Sequence, residues 1–182
     1  MTDAIMHRGP DAGGHWRSSK FHFGFASRRL RIVDIDLRAD QPMTNEDGTV
    51  QLCFNGEIFN QAELRRALVA AGHRFRTDHS DTEVIVHGYE EWGWEGLLRR
   101  LDGMFAFALW DDNDGTLLLA RDRLGVKPLY LARDRDRMLF ASEIKALLPV
   151  RKQATDIEPL AMYHYLTFHA APAPLTMFQG IW

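Results

Sequence analysis

The sequence predicts an α+β domain whose antiparallel sheets are covered by helices, and three observations carry the prediction. Extended apolar runs follow one another in pairs, instead of alternating one by one with helices as in a parallel wheel. Stretches with helical apolar spacing are grouped between those pairs. The chain has 182 residues, enough for one sizeable core, because a domain of about 150 residues buries roughly 70% of its unfolded surface.

The elements follow in order. The first six residues read as the end of a helix. Residues 21–26 and 29–33 read as two extended runs with period-two apolar spacing, and 50–54 as another strand. Asn60 and Glu63 have the spacing of a capping box, and Leu64, Leu68 and Ala71 then recur at helical spacing until Gly72. Ser80 and Glu83 repeat the box, which puts Asp81 in the first turn of a second helix. A short third helix is expected over 94–101. The nearly all-apolar runs 104–110 and 116–120 flank Asp111-Asp112-Asn113-Asp114-Gly115, which predicts a hairpin buried on both faces. Strands over 129–132 and 138–141 lead to a helix over 142–148, and a last helix covers 159–168. Ala170-Ala171-Pro172-Ala173-Pro174 is a stiff segment of the kind that joins domains. Residues 1–168 are therefore expected to form the domain and 169–182 a linker.

Composition narrows the function. The chain is 46% hydrophobic and 26% charged with a net charge of -3, so it has no basic footprint for nucleic acid, and small-molecule chemistry fits better. A lone cysteine, Cys53, forms no internal disulfide, no apolar run reaches the roughly 18 residues of a spanning helix, and no signal peptide is evident. A reducing, cytoplasmic setting without membrane contact is the expectation.

Asn55-Gly56 has two readings. The pair is a common hairpin turn; it could equally supply an amide donor beside a free backbone N–H for a developing oxyanion. Glu57, followed by a capped helix, favours the second. Alternation sends Arg29 and Arg31 to one face and Arg28 and Leu30 to the other; an arginine fork is a natural grip on a carboxylate, though a solvated strand face explains it as well. Asp81 suits its helix N-terminus in any case. Taken together, Arg29, Glu57 and Asp81 are the minimum set for an amino-acid substrate, one cation for its carboxylate and two acids for its ammonium. Cys53 lies in an apolar strand with no adjacent base and reads as a core residue. The eight histidines lack His-Glu-x-x-His or Cys/His ligand spacing, so no metal site is expected. The run from Arg121 to Pro128 lacks the glycine spacing of a phosphate loop and reads as a turn held by charge pairs.

His7-Arg8-Gly9-Pro10-Asp11, Arg29-Leu30-Arg31-Ile32-Val33-Asp34, Gln41-Pro42-Met43, Asn55-Gly56-Glu57-Ile58-Phe59-Asn60, Ser80-Asp81-Thr82-Glu83-Val84, Gly103-Met104-Phe105-Ala106-Phe107, Arg121-Asp122-Arg123-Leu124-Gly125 and Ala141-Ser142-Glu143 occur in that order. Over essentially its whole length the chain thereby resembles the class II glutamine amidotransferase domain of glutamine-hydrolysing asparagine synthetases. The resemblance implies an N-terminal-nucleophile hydrolase fold, an αββα sandwich, here truncated at its N-terminus. It implies hydrolysis of glutamine, with the ammonia passed to a C-terminal synthetase domain that activates aspartate with ATP. No cofactor is implied for this domain; ATP and Mg belong to the synthetase domain. Glutamine and that domain are the implied partners, and a homodimer stands as an alternative to a monomer.

By the same resemblance, Arg29 would bind the glutamine carboxylate, with the backbone of Leu30, Arg31, Ile32 and Val33 shaping the pocket. Asn55 and Gly56 would form the oxyanion hole, and Glu57 and Asp81 would hold the ammonium group. The family's nucleophile is a cysteine at the processed N-terminus, whose own α-amine is the base. This sequence has no such cysteine, and Thr2 precedes a helical stretch rather than starting a core strand. Truncation is the favoured expectation. A catalytically inactive glutamine-binding or regulatory module, and the domain of a related enzyme with another acceptor, are the alternatives.

Overall fold

The computed structural model describes residues 1–32, 36–153 and 155–182. Two compact units divide it: Thr2 with Met6–Lys127, and Met1 with Asp3–Ile5 and Pro128–Trp182.

The larger unit is built on a four-stranded antiparallel sheet in the order β3 (Met43–Thr44), β4 (Val50–Ile58), β5 (Gly103–Asp111) and β6 (Thr116–Arg121). The expected hairpin joins β5 and β6, and β4 pairs with β5 along its full length, from Val50 opposite Asp111 to Ile58 opposite Gly103. Residues 105–110 are buried without alternation, as an all-apolar strand requires when both faces are covered. Helices α1 (Gln61–Ala70) and α2 (Asp81–Arg100) pack on each other, and α2 packs on β3 and β4. The core joins Leu52, Leu68, Ile85, Leu97, Phe107 and Leu109, each worth about 1.5–3 kcal/mol on burial.

A separate hairpin pairs β1 (Ala12–Arg17) with β2 (Gly24–Arg29). The sequence gives no period-two signal for β1, because Gly13 and Gly14 offer no side chains to pack. Close approach explains them: a Cβ on Gly14 would lie 2.0 Å from the Gln41 carbonyl oxygen. Nor do the two runs expected over 21–26 and 29–33 survive as drawn. One strand replaces them, while Phe21 and Phe23 precede it and pack on Trp110, Phe23 stacked at 3.9 Å and Phe21 edge-on at 5.6 Å.

Both capping boxes fail. Asn60 precedes α1 without capping it, because its side chain accepts from Asp102 N and donates to the Arg100 carbonyl. Ser80 likewise makes no side-chain cap, and Glu83 turns to Arg76 and Thr77 instead. The third helix expected over 94–101 is the second half of α2, set off by a break at Gly93, whose φ of 66° is disfavoured for other residues. The turn after β6 is held by backbone bonds in place of charge pairs. Asp122 accepts from the N–H groups of Phe105, Leu124, Val126 and Lys127, while Arg121 donates to the carbonyls of Gly125 and Lys127.

In the smaller unit, β7 (Tyr130–Asp134) and β8 (Arg137–Ala141) form a hairpin, followed by α3 (Ile144–Leu147) and α4 (Pro159–Phe168). Ala132, Leu147 and Ile181 are its buried centre. After α4 the chain returns to β7, where Leu131 and Trp182 exchange both backbone hydrogen bonds, at 2.7 and 3.0 Å. Among the described residues no helix is long and apolar enough to cross a membrane.

Candidate active site

β4 runs through Asn55-Gly56 and ends only at Ile58, so the pair sits inside a strand and the hairpin-turn reading falls. Gly56 is required by close approach. A Cβ there would lie 2.2 Å from the Met104 carbonyl oxygen and 2.7 Å from the Phe105 Cα, on the paired strand. Period-two geometry puts the side chains of Asn55 and Glu57 on one face. Asn55 Nδ2 is buried and has no hydrogen-bond partner among the described residues. A buried donor left unpaired costs about 1–3 kcal/mol, and such groups in folded chains call for a functional account.

Asp81 opens α2 and is buried, with 6% of its surface exposed. Its Oδ2 accepts from Ile58 N at 3.0 Å, which clips the end of β4 to the start of the helix. Burial raises the Asp81 carboxyl above the usual range and the Glu57 charge adds to this, against hydrogen bonds from the N–H groups of Ile58, Asp81 and Thr82. Glu57 itself is exposed. Two neighbouring acids, one dry and one wet, are stabilised by a cation placed between them.

The segment before Asp81 is fixed from two sides. Glu83 accepts from Arg76 N at 2.7 Å, Thr77 N at 2.9 Å and the Thr77 hydroxyl. Burial opposes its ionisation, but the nearby His87 ring at 3.6 Å and the hydrogen bonds from Arg76 and Thr77 prevail and bring it down to about 2. Arg65 donates to the carbonyls of Thr77 at 2.7 Å and Ser80 at 2.9 Å.

Arg29 ends β2, and Arg29 and Arg31 turn to the same side, as alternation predicts. Both grip Asp40: Arg29 Nη1 donates to Oδ1 at 2.8 Å and to the Asp36 carbonyl at 3.2 Å, while Arg31 Nη2 donates to Oδ2 at 2.7 Å. Burial works against the Asp40 charge, yet the two guanidinium groups outweigh it and hold the carboxyl below its ordinary value. Leu30 and Ile32 are exposed at 49% and 74%. Val33 lies outside the described residues.

One residue the sequence reading passed over joins the two halves. The Gln41 carbonyl accepts from Ser27 Oγ at 2.5 Å, two residues before Arg29, and its side-chain Oε1 accepts from Phe54 N at 2.8 Å, one residue before Asn55. Gln41 belongs to one of the quoted motifs, and only the fold shows what it holds. Gly9 supports the same arginine segment. A Cβ there would lie 2.3 Å from Arg29 N and 2.4 Å from the Arg28 carbonyl carbon, while Asp11 Oδ2 accepts from Arg31 N at 3.0 Å. Gly9→Ala is expected to cost about 3 kcal/mol by overpacking, seen in a thermal melt as a midpoint lower by roughly 6–12 °C.

Cys53 lies in β4 opposite Ala108, and burial pushes its thiol far above the range in which a thiolate forms. Cys53→Ala is expected to leave glutamine turnover in the complete natural protein within about twofold, measured as ammonia release. Thr2 starts a 3-10 segment, Thr2–Arg8, and lines a cavity of about 190 Å³ with Gly13, Gly14, His15, Ser27 and Arg28; none of the candidate substrate residues shares that cavity.

The family description of a glutamine amidotransferase domain matches residues 1–182. Glutamine-hydrolyzing asparagine synthetase 1 of Bacillus subtilis (strain 168) is 43% identical over 177 residues, 97% of this chain and 27% of that protein. Glutamine-hydrolyzing asparagine synthetase 2 of the same strain is 47% identical over 147 residues, 81% of this chain and 19% of that protein. Amidase chry2 of Gibberella zeae is 39% identical over 146 residues, 80% and 21%. The chain thus spans a fifth to just over a quarter of these relatives' length. Among solved structures, the glutamine phosphoribosylpyrophosphate amidotransferase of B. subtilis, complexed with ADP and GMP, has a TM-score of 0.64 at 23% identity, covering 80% of this chain and 38% of that one. That is a likeness of fold, and with the antiparallel sheets it agrees with the αββα class expected from the sequence.

Proposed function

We propose, since the chain belongs to the glutamine amidotransferase domain family, that it binds glutamine and releases its amide nitrogen as ammonia for an ATP-dependent amidation of aspartate. The observation that carries this reading is the buried, unpartnered Asn55 Nδ2 beside the acid pair Glu57 and Asp81. An amide donor aimed at no protein acceptor suits an oxyanion that exists only while the amide is being cleaved. Gly56 N–H is the second donor. Glu57 and Asp81 take the substrate ammonium, and Arg29, oriented by Asp40, takes its carboxylate, with the Leu30, Arg31 and Ile32 backbone beside it. The four grips fit the two ends and the amide of a free amino acid, and nothing in them selects the final acceptor.

The acceptor chemistry is proposed from the asparagine synthetases that the chain resembles. A synthetase domain following residues 169–182 would bind ATP and Mg and receive the ammonia, in the cytoplasm. Of the residues described, none fits the nucleophile, so the test uses the complete natural protein. Arg29→Ala is expected to raise the glutamine KM about 10- to 100-fold, as losing a charge-assisted pair does, while product formation from free ammonium salt stays unchanged. Equal loss with both nitrogen donors would overturn the assignment. Glutamine binding by calorimetry without ammonia release by the wild-type protein would show a binding module instead.

A further inference from the structure

We propose that His73, His87 and Glu90 form a binding site for a divalent transition metal of the zinc class, bracing the segment that leads into α2. The sequence hides it, because His87 and Glu90 are three apart on α2 while His73 comes from the turn after α1, and no regular ligand motif results. One potential ligand atom from each residue lies within 4.8 Å of the others. His87 Nδ1 is 3.0 Å and His73 Nδ1 3.9 Å from Glu90 Oε2. A tetrahedral zinc with bonds of about 2.0–2.1 Å separates its ligand atoms by roughly 3.3–3.5 Å, between these two distances.

The outer partners agree with this choice of atoms. His73 Nε2 faces Glu91 Oε2 at 3.1 Å, and His87 Nε2 faces Glu83 Oε1 at 3.6 Å. Each ring can therefore keep its proton on Nε2 toward a carboxylate and present Nδ1 to the metal, the arrangement that metal-binding histidines adopt. Glu90 is oriented in the same way. Its Oε1 accepts from Asn45 Nδ2 at 2.8 Å, leaving Oε2 to both rings. His87 is 2% exposed, its Nε2 makes no hydrogen bond among the described residues, and Glu46 Oε1 approaches it to 3.9 Å. Two nitrogens and one carboxylate oxygen suit zinc or cobalt. Three protein ligands leave a fourth position for water.

A proton is the competing cation. Burial alone would lower the His87 pKa, but Glu83, Glu90 and Glu46 reverse it and raise it to about 9. The experiment must therefore separate a metal site from a protonated histidine. The complete natural protein, stripped with a chelator, is titrated with Co²⁺ while its visible ligand-field absorption is followed, and then with Zn²⁺ in competition. One equivalent is expected to bind. H73Q and E90Q, at partly exposed positions, are each expected to weaken it at least about tenfold, and E91Q, which removes only the charge facing His73 Nε2, to weaken it less. H79Q, at an exposed position of the same segment, is expected to leave it unchanged, and circular dichroism checks that every variant folds. Absence of stoichiometric uptake by the wild type, or equal uptake by the folded H73Q/E90Q double variant, would overturn the proposal and leave a proton as the cluster's cation.

Discussion

Asn55→Ala is expected to lower glutamine-dependent turnover of the complete natural protein by about 10²- to 10³-fold, the usual effect of removing one oxyanion donor. Its melting temperature should stay level or rise. The two outcomes separate because Nδ2 is buried without a partner: its removal relieves a penalty of about 1–3 kcal/mol and takes away no hydrogen bond that the donor makes in the folded chain. A structural asparagine behaves in the opposite sense, with stability and turnover falling together. Thermal melts beside ammonia-release rates decide between them, and turnover within about twofold of wild type would remove Asn55 from the oxyanion hole.

Asp81→Asn is expected to weaken glutamine use by about 10- to 150-fold, the equivalent of roughly 1.5–3 kcal/mol for a hydrogen bond to a charged group. It is also expected to stabilise the fold at neutral pH. The folded carboxyl has a pKa raised by burial and by Glu57. Between its ordinary value and that raised one, the folded chain binds more protons than the unfolded chain. Stability therefore falls as pH rises through that window, and the cost is complete above it. Asparagine carries no charge to desolvate, and its Oδ1 can still accept from Ile58 N. Melts at about pH 7 and about pH 4 should show the variant ahead at the first and level at the second. A variant that is less stable at neutral pH would mean that the carboxylate holds β4 to α2 by its charge.

Most of the fold is legible where a residue's own period decides its burial. The run in β5 is too apolar to face water on either side, and α1 shows its buried stripe at Leu64 and Leu68, whereas the equally apolar β6 lies at the sheet edge with only Ala120 buried. Legibility fails where a distant backbone decides. β1 is extended because Gly14 must let Gln41 pass, and the capping groups of Asn60 and Glu83 are taken by partners that no local spacing announces. The candidate site divides in the same way. Asn55, Gly56, Glu57 and Asp81 converge as their motifs suggest, since one strand and one helix start carry all four. Asp40 and Gln41 were missed as site residues because their work is done across the chain, on Arg29, Arg31, Ser27 and Phe54.

Gln41 has a consequence for selectivity. By tying its own backbone to the arginine strand and its side chain to the asparagine strand, it works as a caliper whose jaws are Arg29 and Asn55. With the roles proposed for those jaws, the gap between them measures the length of the amino acid, from its carboxylate to its terminal amide. On the proposed roles, asparagine, one methylene shorter than glutamine, is expected to reach only one of the two jaws.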